Sequence, residues 1–94
     1  MKTCAQLKRD LKVGTKLKCI FNYHGKYLNV VRPVSKVQTN AVCLKTETEN
    51  GTVNSYLDFP PKASLVKYDE NVFEFYFERN GELIKQLAYE IVEY

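Results

Sequence analysis

The chain has no tryptophan, one histidine, three prolines, four glycines and three cysteines. These shortages exclude most local signatures of chemistry. With His24 alone, a nucleophilic triad would have to assemble at an exposed Tyr-His-Gly turn, and there is no G-x-S-x-G. Four scattered glycines form neither G-x-x-x-x-G-K-[ST] nor G-x-G-x-x-G, so no phosphate-cradling loop is expected. Cys4, Cys19 and Cys43 lie 15 and 24 residues apart without a C-x-x-C pair, which removes the signature of structural zinc and points to reduced thiols. Cys19 should pack inward and Cys43 should be partly exposed. No stretch reaches the roughly 20 apolar residues of a membrane span, and Met1 to Arg9 lacks the apolar run of a signal peptide. The expectations are a cytoplasmic location, no membrane partner, no metal, no cofactor and no enzymatic activity. Asp58, Asp69, Glu70, Glu74 and Glu78 fall on turns or outward strand positions, a solvated acidic face rather than a paired general acid and base.

Acid is also scarce in the first half. Residues 1–45 hold ten of the fourteen Lys and Arg and a single acid, Asp10. Residues 46–94 hold four bases and ten acids, so +9 is followed by −6 behind a net charge of +3. Such a split makes either a surface for nucleic acid or an acidic partner, or two halves that neutralise each other on folding.

Aromatic residues are plentiful, with seven Tyr and five Phe, and with Val they favour β structure. Ninety-four residues support one small domain, 1–94, with a modest core. Thr3 can cap a short helix over 4–11 that lays Cys4, Leu7 and Leu11 on the body. From Thr15 the period becomes two, with Leu17, Cys19 and Phe21 on one face and Lys16, Lys18 and Ile20 on the other. Tyr23 to Lys26 reads as a turn, Tyr27 to Val31 as extended, and Pro33 as an edge or bend. Asn50-Gly51 predicts a two-residue type I′ hairpin with Glu49 opposite Thr52, which pairs Leu44 with Leu57 and Val42 with Phe59. Ala63 to Tyr68 and Val72 to Glu78 are further strands, the latter with Phe73, Phe75 and Phe77 facing the core. Residues 83–92 read two ways. Arg79-Asn80-Gly81 suggests a three-residue turn into a last strand, pairing Phe77 with Leu83, whereas Leu83, Ile84, Leu87, Ala88, Ile91 and Val92 trace a helical stripe. The predicted fold is mainly β, a small SH3-like or OB-like barrel with a short N-terminal helix. The alternative is an antiparallel sheet covered by a C-terminal helix.

Binding is the chemistry that remains. Lys8, Arg9, Lys12, Lys16, Lys18, Lys26 and Arg32 crowd the first third of the chain, with Tyr23 and Tyr27 among them. Cations that follow phosphates, interleaved with aromatics on which bases stack, are the recognition chemistry of single-strand binders. Lysines on outward strand positions also keep strand edges from pairing with other chains, so the cluster has a bland reading too. In the acidic half, Glu74, Tyr76, Glu78, Glu82 and Glu90 offer the mirror possibility. That face would imitate a phosphate backbone and hold a basic protein.

Three stretches together resemble small proteins encoded by phages and prophages of Gram-positive bacteria. They are Leu11-Lys12-Val13-Gly14-Thr15-Lys16-Leu17, Val37-Gln38-Thr39-Asn40-Ala41-Val42, and Ser55-Tyr56-Leu57-Asp58-Phe59 leading into Pro61-Lys62-Ala63-Ser64. None of these motifs carries a chemical role, so no functional residue follows from them. The resemblance implies an accessory protein in the cytoplasm of a bacterial host cell, either a nucleic-acid factor or an inhibitor of host defence of the anti-CRISPR kind. The leading expectation is a non-enzymatic module whose basic half contacts nucleic acid. The alternative is a protein–protein inhibitor using the acidic half. A homo-oligomer joining one molecule's basic half to another's acidic half is the third.

Overall fold

In the computed structural model, which describes residues 2–94, Thr3 Oγ1 accepts the Gln6 N–H at 3.1 Å and starts helix α1 (Cys4–Asp10). The helix ends as expected before Gly14, and Leu7 and Leu11 are fully buried beneath it. Seven strands follow: β1 (Lys16–Asn22), β2 (Val31–Val37), β3 (Ala41–Thr48), β4 (Gly51–Asp58), β5 (Val66–Asp69), β6 (Val72–Arg79) and β7 (Glu82–Glu93), with a short 3₁₀ turn at Ala63–Leu65 before β5. All pair antiparallel in one sheet of order β4-β3-β2-β1-β7-β6-β5.

The protein is therefore mainly β, but its sheet stays open. Strands β4 and β5 end the order and do not pair with each other, so no closed barrel forms. The sheet instead curls around one inner face. Leu17, Val34, Val42, Leu57, Phe59, Tyr68, Phe73, Phe75 and Ile91 pack there with Leu7 and Leu11 of α1. Phe59, just beyond edge strand β4, meets Phe75 of β6 with ring centroids 5.2 Å apart. Lys2 covers the other edge by giving its N–H to Tyr68 O at 2.8 Å.

No C-terminal helix forms, because residues 83–92 belong to β7. Ile84 opposes Phe77 and Leu87 opposes Phe75, while Gln86 is an extra residue between register partners Lys85 and Leu87. This bulge puts two inward residues three apart, which imitates the spacing of a helix in the sequence. A second bulge, at Ile20 of β1, sends Phe21 opposite Ala88 on the outer face, away from Leu17 and Cys19.

The two Asn-Gly pairs exchange their expected roles. Asn80 and Gly81 have φ of 51° and 79° and join β6 to β7 as a two-residue type I′ hairpin, with Arg79 opposite Glu82. At the β3–β4 turn only Gly51 has positive φ (112°), and Thr48 opposes Gly51 across Glu49-Asn50. Leu44 therefore pairs with Ser55 and Val42 with Leu57, two residues from the expected register. A shift of two preserves the faces, so the inward residues are unchanged. Cys43 is fully buried rather than partly exposed.

Candidate functional site

The inner face changes character along its length, and the change begins at Pro33. Val34 gives its N–H to Thr15 O and accepts the Gly14 N–H, both at 2.8 Å, so its backbone groups face β1. Backbone direction alternates along a strand, so Pro33 faces β3, where it has no N–H to give. The sheet opens there. Residues Val31, Arg32 and Pro33 pair with β1 alone, and β2 meets β3 only from Val34 onward. Between Val31–Pro33 and Lys45–Glu47 lies a cleft of about 390 Å³, roofed by Tyr27 and Val30.

Arg32 is at the base of this split, 4% exposed. Its Nη1 donates to Thr46 Oγ1 at 3.0 Å and its Nη2 to Tyr89 Oη at 2.7 Å. Ser55 Oγ extends the network, 2.8 Å from Thr46 Oγ1. Among the described residues no carboxylate forms an ion pair with the guanidinium, although Glu47 lines the same cleft. The ion pairs among the described residues are Lys16–Glu93, Lys62–Glu78 and Lys85–Glu74, and Arg32 Nε has no hydrogen-bond partner at all. An unpaired buried charge costs several kcal/mol, on the order of 3–5 when a partner is removed from an existing pair. Burial pushes the Tyr89 hydroxyl up to about 12 although the Arg32 charge acts in the opposite direction, so Tyr89 is a neutral phenol and not the missing counter-ion.

Tyr27 closes the site from above, with its ring centroid 4.2 Å from the Arg32 guanidinium carbon. The expected extended run from Tyr27 is in fact a tight turn. Tyr27 and Asn29 have φ of 60° and 64°, left-handed conformations that cost on the order of 1–3 kcal/mol in a non-glycine residue. The turn is pinned by Asn29 N–H to Cys19 O (2.7 Å), Val30 N–H to Tyr27 O (3.1 Å) and Cys19 Sγ to Lys26 O (3.9 Å). Tyr23 gives its N–H to the carbonyl of the Gln86 bulge at 2.8 Å and sets its ring edge-on to Phe77. On the far side of Arg32 a smaller cleft of about 140 Å³ is lined by Asn22, Ser55 and Tyr89 over Leu44, Leu57 and Leu87.

The seven cations predicted to hold phosphates fall into three groups. Lys8 and Arg9 end α1, and Lys12 follows them; Lys8 is drawn to Asn40 Oδ1 (3.3 Å) and over the Phe59 ring. Lys16 and Lys18 lie on β1 opposite Glu93 and Glu90 of β7, so the charge halves meet there, with Lys16 Nζ 3.3 Å from Glu93. Arg32 lines the split with Tyr27, while Lys26 and Tyr23 lie in the loop that leads into Tyr27 and do not line it. The acidic residues are likewise divided. Glu74 takes hydrogen bonds from Lys85 Nζ (2.9 Å) and Tyr76 Oη (2.7 Å); burial opposes its charge, yet these bonds hold its carboxyl below the usual value. Glu78 pairs with Lys62, Glu90 accepts from Asn71 at 3.4 Å, and Glu82 follows the β6–β7 turn. Sequence reasoning missed Lys45, Thr46 and Ser55 and placed Tyr89 with the acidic half rather than with Arg32; all are ordinary strand residues brought to this site only through long-range pairing. Among the described residues no three His, Cys, Asp or Glu side chains gather as a metal-ligand set, and no helix is long and apolar enough to cross a membrane. No family model, curated protein or solved structure matches the chain.

Proposed function

We propose that this chain is a non-enzymatic module that binds single-stranded nucleic acid along the split between β2 and β3. One observation carries the reading. A buried arginine without an acid lies beneath the exposed Tyr23–Lys26–Tyr27 loop, with Lys45 across the cleft. Cations around the cleft and an exposed aromatic loop provide the two components of sequence-tolerant strand binding, charge and stacking. Of the seven cations predicted from the sequence, Lys26 and Arg32 carry the contact. Lys16 and Lys18 face the acids of β7, and Lys8, Arg9 and Lys12 make a separate patch on α1. A cytoplasmic accessory role in a phage-infected bacterial cell, on a sheet curled towards the small barrels that bind oligonucleotides, is consistent with this assignment. The alternative inhibitor surface has weaker support, because Glu74, Glu78 and Glu90 already bond groups of their own chain.

The test is fluorescence anisotropy of labelled single-stranded DNA and RNA at two salt concentrations. With Lys26, Arg32 and Lys45 on phosphates, log affinity should fall against log salt with a slope of about −2. Tyr27→Ala should weaken binding tenfold or so, given stacking worth about 1–3 kcal/mol per base. Reversing Lys8, Arg9 and Lys12 should matter less. Absence of binding at low salt, or binding indifferent to salt, would overturn the reading.

A further inference from the structure

The smaller cleft has roughly a third of the volume of the larger one, about 140 against 390 Å³. Core leucines form its floor, and no carboxylate lines it. The groups that do line it are suited to an anion. Arg32 brings an Nε–H that no atom of the described residues accepts. Tyr89 accepts from Arg32 and keeps its own proton to donate. Asn22 accepts the His24 N–H with its carbonyl oxygen at 2.8 Å, which leaves its amide hydrogens free. Ser55 has a hydroxyl rotor that can turn from Thr46 to a ligand. The larger cleft shares only Tyr27 and Arg32 with the smaller one, and its other walls are Val30, Val31 and Pro33 on one side and Lys45 and Glu47 on the other. That is a place for a flat, mostly apolar body whose edge carries hydrogen-bond donors for the Glu47 carboxylate.

We propose that the two clefts are one site for a nucleotide ending in a phosphomonoester, with the terminal phosphate in the small cleft on Arg32 and the base in the opening between β2 and β3. The proposal rests on the nucleic-acid reading only for the source of the nucleotide, either the phosphorylated end of a strand or a free mononucleotide. A phosphodiester within a strand has two ester oxygens and so two non-bridging oxygens to offer the cleft's donors. A terminal phosphate has one ester oxygen and three terminal ones, which is a better match for donors from Arg32, Tyr89, Asn22 and Ser55. Arg32 lies almost wholly beneath Tyr27, so the phosphate reaches it as the Tyr27 ring turns aside, and the displaced ring is then free to stack on the base.

The experiment compares one short oligonucleotide in three forms, 5′-phosphorylated, 3′-phosphorylated and unphosphorylated, with nucleoside 5′-monophosphates and inorganic phosphate as further probes. Calorimetry and thermal melting are read on the wild-type chain, Arg32→Met, Arg32→Lys and Ser55→Ala. One phosphorylated end should bind at least tenfold tighter than the unphosphorylated strand. Arg32→Met should abolish that preference, weakening the phosphorylated form far more than the unphosphorylated strand, which loses one of its three phosphate contacts, and Arg32→Lys should restore part of it. At a hundredfold excess over Kd the monophosphate should raise Tm by about 10 °C or more in the wild type and not in Arg32→Met. If Arg32→Met does not fold, Ser55→Ala, at a half-buried position, should still lower the preference several-fold. Equal affinity for all three forms, or a preference that survives Arg32→Met, overturns the proposal and leaves strand binding intact. Monophosphate binding without oligonucleotide binding supports the pocket and removes the strand interface.

Discussion

At the end of the inner face covered by α1, every buried side-chain polar atom of the described residues has a hydrogen-bond partner. Tyr68 is completely buried, yet its hydroxyl reaches Asp10 Oδ2 at 2.6 Å, and the ring lies beside Phe73 on paired strands. Asp10, the one acid of the basic half, is thereby used to hold the helix on β5. At the end beyond Pro33 the same face has a buried cation without an anion, a strained tyrosine above it and two clefts beside it. Both ends come from one continuous sheet with the same alternation of residues. The difference shows where this fold bears an energetic cost that its own stability does not require, and such places are where binding sites are found.

Phe75→Ala tests the closed end most severely. Phe75 is fully buried between Phe59 and Phe73, and truncating such a ring costs about 3–5 kcal/mol. That is a large part of the stability of a domain this size, so thermal melting should show a mostly unfolded chain or a fall in Tm of more than 10 °C, at about 4–8 °C per kcal/mol. Arg32→Met at the open end should cost far less, within about 1 kcal/mol of the wild type, because it removes an uncompensated charge and keeps the volume. If Arg32→Met proves as destabilising as Phe75→Ala, the guanidinium is part of the scaffold and the contrast between the ends disappears.

Alkaline titration engages both ends. Burial, then Asp10, raises the Tyr68 hydroxyl well above its ordinary value of 10; burial raises Tyr89 to about 12; burial, then Glu74, raises Tyr76 to about 12. A tyrosine whose folded pKa exceeds its unfolded one contributes stability that is fully present below pH 10 and is lost as pH rises through the folded value. Two units at Tyr89 correspond to on the order of 2–3 kcal/mol. Denaturant midpoints should therefore hold steady to about pH 10 and fall steeply towards pH 12, and Tyr89→Phe should flatten part of that fall. A midpoint that does not move above pH 10 would contradict the burial of these hydroxyls.

Much of the closed end is legible in the sequence, because its determinants are local. Thr3 announces the cap, Leu7 and Leu11 the helical face, and alternation places Phe73 and Phe75 inward. The open end is hidden for physical reasons. Pro33 signals a break in pairing, but not that its missing N–H faces β3 and opens a cleft. Bulges at Ile20 and Gln86 each add one residue, and this turns Phe21 outward and makes β7 resemble a helix. Charge runs were visible by position in the chain, yet β1 and β7 become neighbours only through the sheet order, which brings Lys16 to Glu93. The hairpins show the same limit. Asn-Gly occurs at both turns, and only the surrounding strands decide that Asn80-Gly81 takes the type I′ form. Gly81→Ala, forced into φ of 79°, should cost about 1 kcal/mol and be visible in Tm.

Smallest of all should be the two ion pairs that β7 makes on the outer face, one near each end of the strand. Lys16–Glu93 joins side chains that are 48% and 66% exposed, so solvent screens it and a double-mutant cycle should give about 0–0.3 kcal/mol. Lys85–Glu74 is closer, at 2.9 Å, with side chains 38% and 25% exposed and a hydrogen bond from Tyr76 on the same carboxylate. Its coupling should be larger but still only about 0.5 kcal/mol. The carboxyl of Glu74 is held below 4.5 in the folded chain, so its contribution is present above that pH and is lost as pH falls through the lower folded value. A cycle measured at pH 7 and again near pH 3 should show the Lys85–Glu74 coupling decline with acid, while the Lys16–Glu93 coupling is near zero at both. Equal couplings at pH 7 would mean that the Glu74 carboxylate is as well solvated as an open surface acid, and the outer face of β6 and β7 would then be free to serve a partner.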